Sequence, residues 1–403
     1  MKTNVKNIVT SLVFVIFILG VALACLLHSP REMSESERRP LEQFPEFVWG
    51  EYVVTKDGSN QFAAIKDFKL GEDFSIGVLN SSIKNYISNF EDYSLDQFPL
   101  RDKMRELKAF VELKLFGKKD NNDIYIVDGY ISEMQPSIND ASVQNAANIW
   151  NNIYNKYLKD KADKVILSVI PDKNYFIAEE NGYLAYDYEE LIEKLTAACP
   201  DFNYVDIFGE LSVEDYYKTD THWRQEQIID VAKKLADALG VGDEYSWDFK
   251  TNELDIPFYG VYAGQLGLGV ESETIKYLTS DVLDNCKLYD YETGKYVDIY
   301  DRAKAEGLDP YDFFLSGAKK GPMRIENPAQ DNGKTLDIFR DSFGSSLAPL
   351  MVEGYSTIYV VDIRVTMAGY INSPAVVGGF AGKDVLFLTS AMVLNDSSEL
   401  MKN

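Results

Sequence analysis

Two short runs hold the residues best suited to nucleophilic chemistry, Asp220-Thr221-His222-Trp223 and, far downstream, Arg340-Asp341-Ser342-Phe343-Gly344-Ser345. His222 is one of only 2 histidines, and the other, His28, ends an apolar stretch. That makes His222 the candidate for proton transfer near neutral pH. Asp220 can accept from one imidazole nitrogen, leaving the other free to take the hydroxyl proton of Ser342. This is the chemistry of acyl transfer. The same aspartate and serine also suit helix caps, which do no chemistry. The thiols offer no alternative: with Cys199 and Cys286 alone beyond the apolar stretch, no zinc set can be assembled, and neither a metal nor a cofactor is expected.

The surrounding pattern says what would position these residues. Val165–Ile170 is a nearly continuous β-branched run, of the kind buried on both faces of a parallel sheet. Similar runs lie at Tyr204–Ile207, Leu336–Phe339, Ile358–Val361 and Val385–Leu388. Helical spacing separates several of them, as in the helix expected from about Val143 to Asp160, so the pattern predicts a doubly wound α/β domain. In such a sheet ligands bind beyond the carboxyl ends of the strands, where Ser342 falls. Ser342 is also expected just before a helix start, so that the Ser342 and Phe343 N–H groups could receive an oxyanion. The Asp220–Trp223 run is expected to open a helix with Ile228, Val231, Ala232, Leu235 and Leu239 buried and Gly240 closing it. There the macrodipole would help keep His222 neutral. Asp128-Gly129 reads as a hairpin turn within Asp123–Ile131.

Ile8–Leu27 carries no charge over 20 residues, follows Lys2 and Lys6, and is long enough to cross roughly 30 Å of hydrocarbon. The early lysines favour a cytoplasmic N-terminus and an extracytoplasmic catalytic domain. The run reads as an uncleaved single-pass anchor; a cleaved signal peptide is the alternative, and Val21–Cys25 also resembles a lipoprotein processing site. Residues 29–75, polar with prolines at 30, 40 and 45, read as a tether. Residues 76–403 read as the catalytic domain, with an insertion at about 241–334. The net charge of −24 disfavours nucleic acid as a partner. The 26 Tyr and 22 Phe can stack on sugar rings as well as fill a core.

A family resemblance adds to these readings. Tyr217-Lys218-Thr219 leading into Asp220-Thr221-His222-Trp223, followed by Asp341-Ser342-Phe343, resembles the SGNH-hydrolase-like proteins of the alginate O-acetylation type and the related DHHW family. Phe90–Arg101, Asp128-Gly129-Tyr130, Pro171-Asp172-Lys173 and Asp362-Ile363-Arg364 fit the same pattern in order, over roughly residues 76–403. The second motif position is Thr221 where the DHHW family has its first histidine. The resemblance implies a three-layer α/β/α SGNH-type domain with Ser342 as nucleophile, His222 as general acid/base and Asp220 as orienting carboxylate. Phe343, Trp223, Asn174, Tyr262 and Arg364 are its weaker candidates for the oxyanion site and the substrate wall. It further implies O-acetylation of an envelope or exported polysaccharide acceptor, with a multi-spanning membrane O-acyltransferase supplying acetyl groups. A carbohydrate O-acetyl esterase with the same triad, and a non-catalytic envelope scaffold or glycan-binding protein, are the alternatives.

Overall fold

The structure, a computed structural model, describes residues 2–54, 60–366, 379–397 and 400. It divides into two compact units, Met1–Phe116 and Gly117–Asn403.

The first unit begins with α1, Lys2–Leu27, whose Lys6–Cys25 stretch is long and apolar enough to cross a membrane. Two further helices follow, α2 (Ile76–Asp96) and α3 (Arg101–Phe110), the latter continuing as a wide turn over Val111–Leu115. Within residues 29–75 the chain is tied to these helices by charge. Arg39 places its guanidinium on Asp96 at 2.8 and 2.6 Å, and the Glu42 N–H adds a third donor at 2.9 Å. The Arg39 pairing holds the Asp96 carboxyl down at about 2. Gly50–Val54 and Asn60–Ala64 form a hairpin whose Gly50 N–H donates to Ser82 Oγ on α2.

The second unit is built on an eight-stranded sheet. In chain order its strands are β1 (Lys164–Ile170), β2 (Asn203–Tyr204), β3 (Lys287–Asp290), β4 (Lys295–Val297), β5 (Met323–Glu326), β6 (Thr335–Arg340), β7 (Thr357–Asp362) and β8 (Asp384–Ser390). Across the sheet they lie β4-β3-β5-β7-β6-β8-β1-β2. The run from β7 to β2 is parallel, as the β-branched segments predict, and β4, β3 and β5 add an antiparallel edge.

Successive side chains of the central strands point to opposite layers. Ile166, Ile338, Val360 and Leu386 join the core beneath helix α6 (Ile229–Leu239), and Leu167, Phe339, Val361 and Phe387 join that beneath α4 (Asp140–Ile153) and α5 (Tyr188–Ala198). The result is an α/β/α sandwich. The Asp128-Gly129 hairpin is present, with φ values of 50° and 87° that suit a primed two-residue turn between Ile124–Val127 and Tyr130–Glu133. The run Tyr204–Ile207 pairs only at its start, as β2.

Candidate active site

Ser342 follows β6 directly, at the carboxyl edge of the sheet, and Asp220 and His222 reach it from the loop ahead of α6. His222 lies between the other two. Its Nδ1 is 2.6 Å from Asp220 Oδ1, and its Nε2 is 2.8 Å from Ser342 Oγ. An ionised carboxylate only accepts, so Nδ1 carries the proton and Nε2 is left to accept from the serine hydroxyl. Asp220 is itself fixed: Oδ1 also takes the His222 backbone N–H at 3.1 Å, and Oδ2 takes the Val261 N–H at 2.8 Å.

The sequence reading places His222 at a helix start, and this is corrected. Tyr216 bridges Trp223 across a tight loop, a short turn follows at Gln225–Gln227, and α6 begins only at Ile229. No macrodipole acts on the imidazole at that separation. An aromatic face holds it instead: the Tyr311 ring stacks on His222 with centroids 3.8 Å apart and planes at 8°. The buried face predicted for the helix, Ile228 to Leu239, is buried, and Gly240 closes it with a positive φ.

Trp223 is the second correction. Its ring is wholly buried, and Nε1–H donates to Phe343 O at 3.1 Å and to Ser346 Oγ at 2.9 Å. It braces the loop that carries Ser342 and cannot stack on a ligand. Ser346 Oγ also accepts from Tyr311 O–H at 2.8 Å, so this neighbouring serine is occupied. The third correction concerns the oxyanion. The Phe343 N–H is taken by Asp341 Oδ1 at 3.1 Å, while Asp341 Oδ2 takes the Ser390 N–H at 2.7 Å and ties β6 to β8. Among the described residues the Ser342 N–H has no such partner, which leaves it as the donor for a developing oxyanion.

The three outlying candidates sit as follows. Asn174 is buried, accepting from Tyr125 O–H at 2.7 Å and donating to Leu184 O at 3.2 Å, a packing role. Arg364 binds Asp362 through Nε and Nη2 at 3.1 and 2.9 Å, and Arg340 reaches the same carboxylate at 2.9 Å. Burial opposes ionisation of Asp362, but the two guanidinium groups more than offset it and hold the carboxyl below its usual range. Tyr262 is the one drawn toward the triad: its hydroxyl is 3.5 Å from Met392 Sδ, which Thr221 also approaches at 3.3 Å.

Several residues between 241 and 334 also support the loop of Asp220 and His222, without a signal in their local sequence that points to it. Glu273 accepts from the Lys218 and Thr219 N–H groups and from Thr219 Oγ1 at 2.6–2.8 Å, clamping the chain just before Asp220. Gly260 passes so close to Thr219 and Asp220 that a methyl group there would collide with their backbone. Asp312, next to Tyr311, has a half-buried carboxyl that burial and the nearby Asp309 raise, against the pull of Lys304 and Arg340. Only the proximity of aromatic residues in Tyr311–Phe314 could have signalled this region from sequence.

Beneath the loop, Lys173 is fully buried and donates to Tyr217 O at 2.9 Å and Lys218 O at 3.0 Å, with the Tyr262 ring 5.1 Å away. Burial pulls its ammonium down to about 7, against the attraction of Asp220, Glu273 and Asp172. The unfolded chain, with a lysine pKa of roughly 10.4, therefore binds more protons than the folded one between those values, and stability rises with pH there. From pH 7 to pH 9 the gain attributable to Lys173 is about 2 kcal/mol. The difference between the wild-type and Lys173→Met unfolding free energies from urea titration should grow by that amount across the interval. A constant difference would mean that the lysine stays charged in the folded protein.

No protein-family model matches the sequence, and no curated protein matches it. Solved structures do. A DHHW family protein from Eubacterium siraeum is 21% identical over 70% of this chain and 96% of its own, with a TM-score of 0.55. PatB1 of Bacillus cereus, solved with a sulfonyl adduct, is 15% identical over 70% of this chain and 99% of its own, with a TM-score of 0.52. A further structure of PatB1 matches at 15% identity over 68% and 97% of the two chains, with the same TM-score of 0.52. The chain thus shares its fold with a DHHW family protein, in line with the resemblance carried by Asp220–Trp223 and Asp341–Phe343.

Proposed function

We propose that this chain is a membrane-anchored, extracytoplasmic O-acetyltransferase that acts on hydroxyl groups of an envelope or exported polysaccharide. The observation that carries the reading is His222, hydrogen-bonded at once to Asp220 and to Ser342. Its fold likeness to PatB1, which has been solved with a sulfonyl adduct, supports an activated nucleophile in this architecture.

Ser342 Oγ attacks the acyl carbonyl as His222 Nε2 takes its proton, and Asp220 stabilises the imidazolium through Nδ1. The oxyanion forms against the Ser342 N–H. The intermediate collapses to an acetyl-serine, His222 returning the proton to the leaving group. A sugar hydroxyl then gives its proton to His222 and attacks the acetyl carbonyl; as the acetyl ester forms on sugar oxygen, the Ser342 Oγ–acetyl bond breaks and His222 returns the proton to Ser342 Oγ. A multi-spanning membrane O-acyltransferase that carries acetyl groups across the bilayer suits the donor side.

Transfer and hydrolysis differ only in what reaches the acetyl-serine, and a bound acceptor gains over water through effective molarity. The full chain in detergent, given a small activated acetyl ester and a panel of neutral envelope oligosaccharides, should produce oligosaccharides heavier by one acetyl group. Acetylated oligosaccharides that are stripped, with none formed, would replace the transferase by an esterase. With Trp223 in the core, Trp223→Ala should lower transfer and background hydrolysis together.

A further inference from the structure

α3 turns its charged side, and not its apolar one, toward its own unit. Its charged side faces inward: Arg101 and Arg105 both reach Glu37, at 2.6 and 3.3 Å, and Ala109 on that side is fully buried. The outward side carries Leu100, Met104, Leu107, Phe110 and Leu115, at the spacing of one helical stripe. Leu107 and Phe110 are 55% and 54% exposed, and Leu115 is 68% exposed. On α2, Ile83, Ile87 and Phe90 form a similar outward stripe. A contiguous apolar surface of this kind marks something that covers it.

We propose that the outward face of α3 lies in the outer surface of the bilayer that α1 spans, in the headgroup layer. This rests on the reading of α1 as a membrane anchor. The chain leaves α1 at Leu27, and only His28, Ser29 and Pro30 precede Arg31. Arg31 is fastened to both ends of the α2–α3 junction, its N–H donating to Gln97 Oε1 at 2.9 Å and its Nη1 to Asp102 Oδ2 at 2.8 Å. The four extended steps from Leu27 to Arg31 reach at most about 14 Å, so Arg31, and with it the start of α3, is held near the membrane boundary. Charge points the same way. Residues 101–116 hold 5 basic and 3 acidic residues in a chain whose net charge is −24. Lysines bordering an apolar stripe, as Lys103 and Lys114 do, keep their ammonium groups among phosphates while their stems follow the apolar side. An integral-membrane partner would need no such basic border, and a second copy would bring like charges together.

The test uses the full chain with Cys25→Ser, carrying an environment-sensitive fluorophore at Leu107→Cys or, separately, at Phe17→Cys in the span. It is reconstituted in phosphatidylcholine–phosphatidylglycerol vesicles, and the unsubstituted Cys25→Ser chain is labelled in parallel to subtract reaction at the remaining thiols. For a residue about 5–10 Å into the headgroup boundary, bromine-substituted phospholipid should remove roughly half of the Leu107→Cys emission, while aqueous iodide removes little. Phe110→Cys should repeat the result if the first substitution perturbs the helix. Quenching at Phe17→Cys with iodide-accessible label at Leu107→Cys would overturn the proposal while leaving the anchor intact. Failure to quench Phe17→Cys would overturn the anchor reading and this inference with it. Shielding of Leu107→Cys from both quenchers that disappears on diluting protein into lipid would assign the face to a second copy instead.

Discussion

Ser342→Ala and His222→Ala should each remove nearly all turnover of an activated acetyl ester, by roughly 10^4- to 10^6-fold in kcat, and the double variant should lose little more than either alone. The effects overlap because Ser342 Oγ and His222 Nε2, 2.8 Å apart, serve one proton transfer. Without the imidazole the hydroxyl has no acceptor, and without the hydroxyl the imidazole has nothing to activate. The neighbouring hydroxyls cannot substitute. Ser346 Oγ is buried with donors from Trp223 and Tyr311, and Ser345 is buried as well. A sulfonyl fluoride should therefore add its mass to Ser342 in the wild-type chain and to no serine in Ser342→Ala. Labelling that persists in that variant would move the nucleophile elsewhere and remove the basis of the proposed function.

What could be read from the sequence and what could not divide along a physical line. The buried parallel strands announce themselves, because a strand covered on both faces must be apolar throughout, as in Val165–Ile170 and Val385–Leu388. The two motifs were legible too, and the fold brings Asp220 and Ser342 within hydrogen-bond distance of His222. The antiparallel edge was not. Lys287–Asp290, Lys295–Val297 and Met323–Glu326 are 3 or 4 residues long and mix charge with aromatic groups, a pattern shared with loops. The supports of the site were hidden for a different reason. Glu273, Val261 and Tyr311 act on Asp220 and His222 through contacts distant in sequence, and nothing in their local pattern points to the loop they hold. Their effect is to make the region at 241–334 a part of the site. The fate of the Phe343 N–H was likewise decided by Asp341, a residue whose own role depends on Ser390 across the sheet.

Asp220→Asn should cost about 10^4-fold in kcat while leaving the fold in place, because the substitution keeps the shape of the side chain and changes only what one atom can donate or accept. Asp220 receives three N–H groups: the His222 backbone and Nδ1 on Oδ1, and the Val261 backbone on Oδ2. An asparagine offers one oxygen for that set. If its oxygen faces His222, its amide opposes the Val261 N–H, donor against donor, in a buried loop where such a clash has no solvent to relieve it. If its amide faces His222, Nδ1 must become the acceptor, the ring proton moves to Nε2, and Nε2 can no longer take the proton of Ser342. Both arrangements disable the base, the second one directly. The readouts separate a tautomer fault from unfolding: kcat should fall by orders of magnitude and sulfonyl labelling of Ser342 should slow in step. The unfolding free energy from urea titration should fall by no more than about 1–3 kcal/mol, the cost of one unsatisfied buried group. Activity within tenfold of wild type would show that His222 does not need the Asp220 carboxylate and would reduce Asp220 to a brace of the loop.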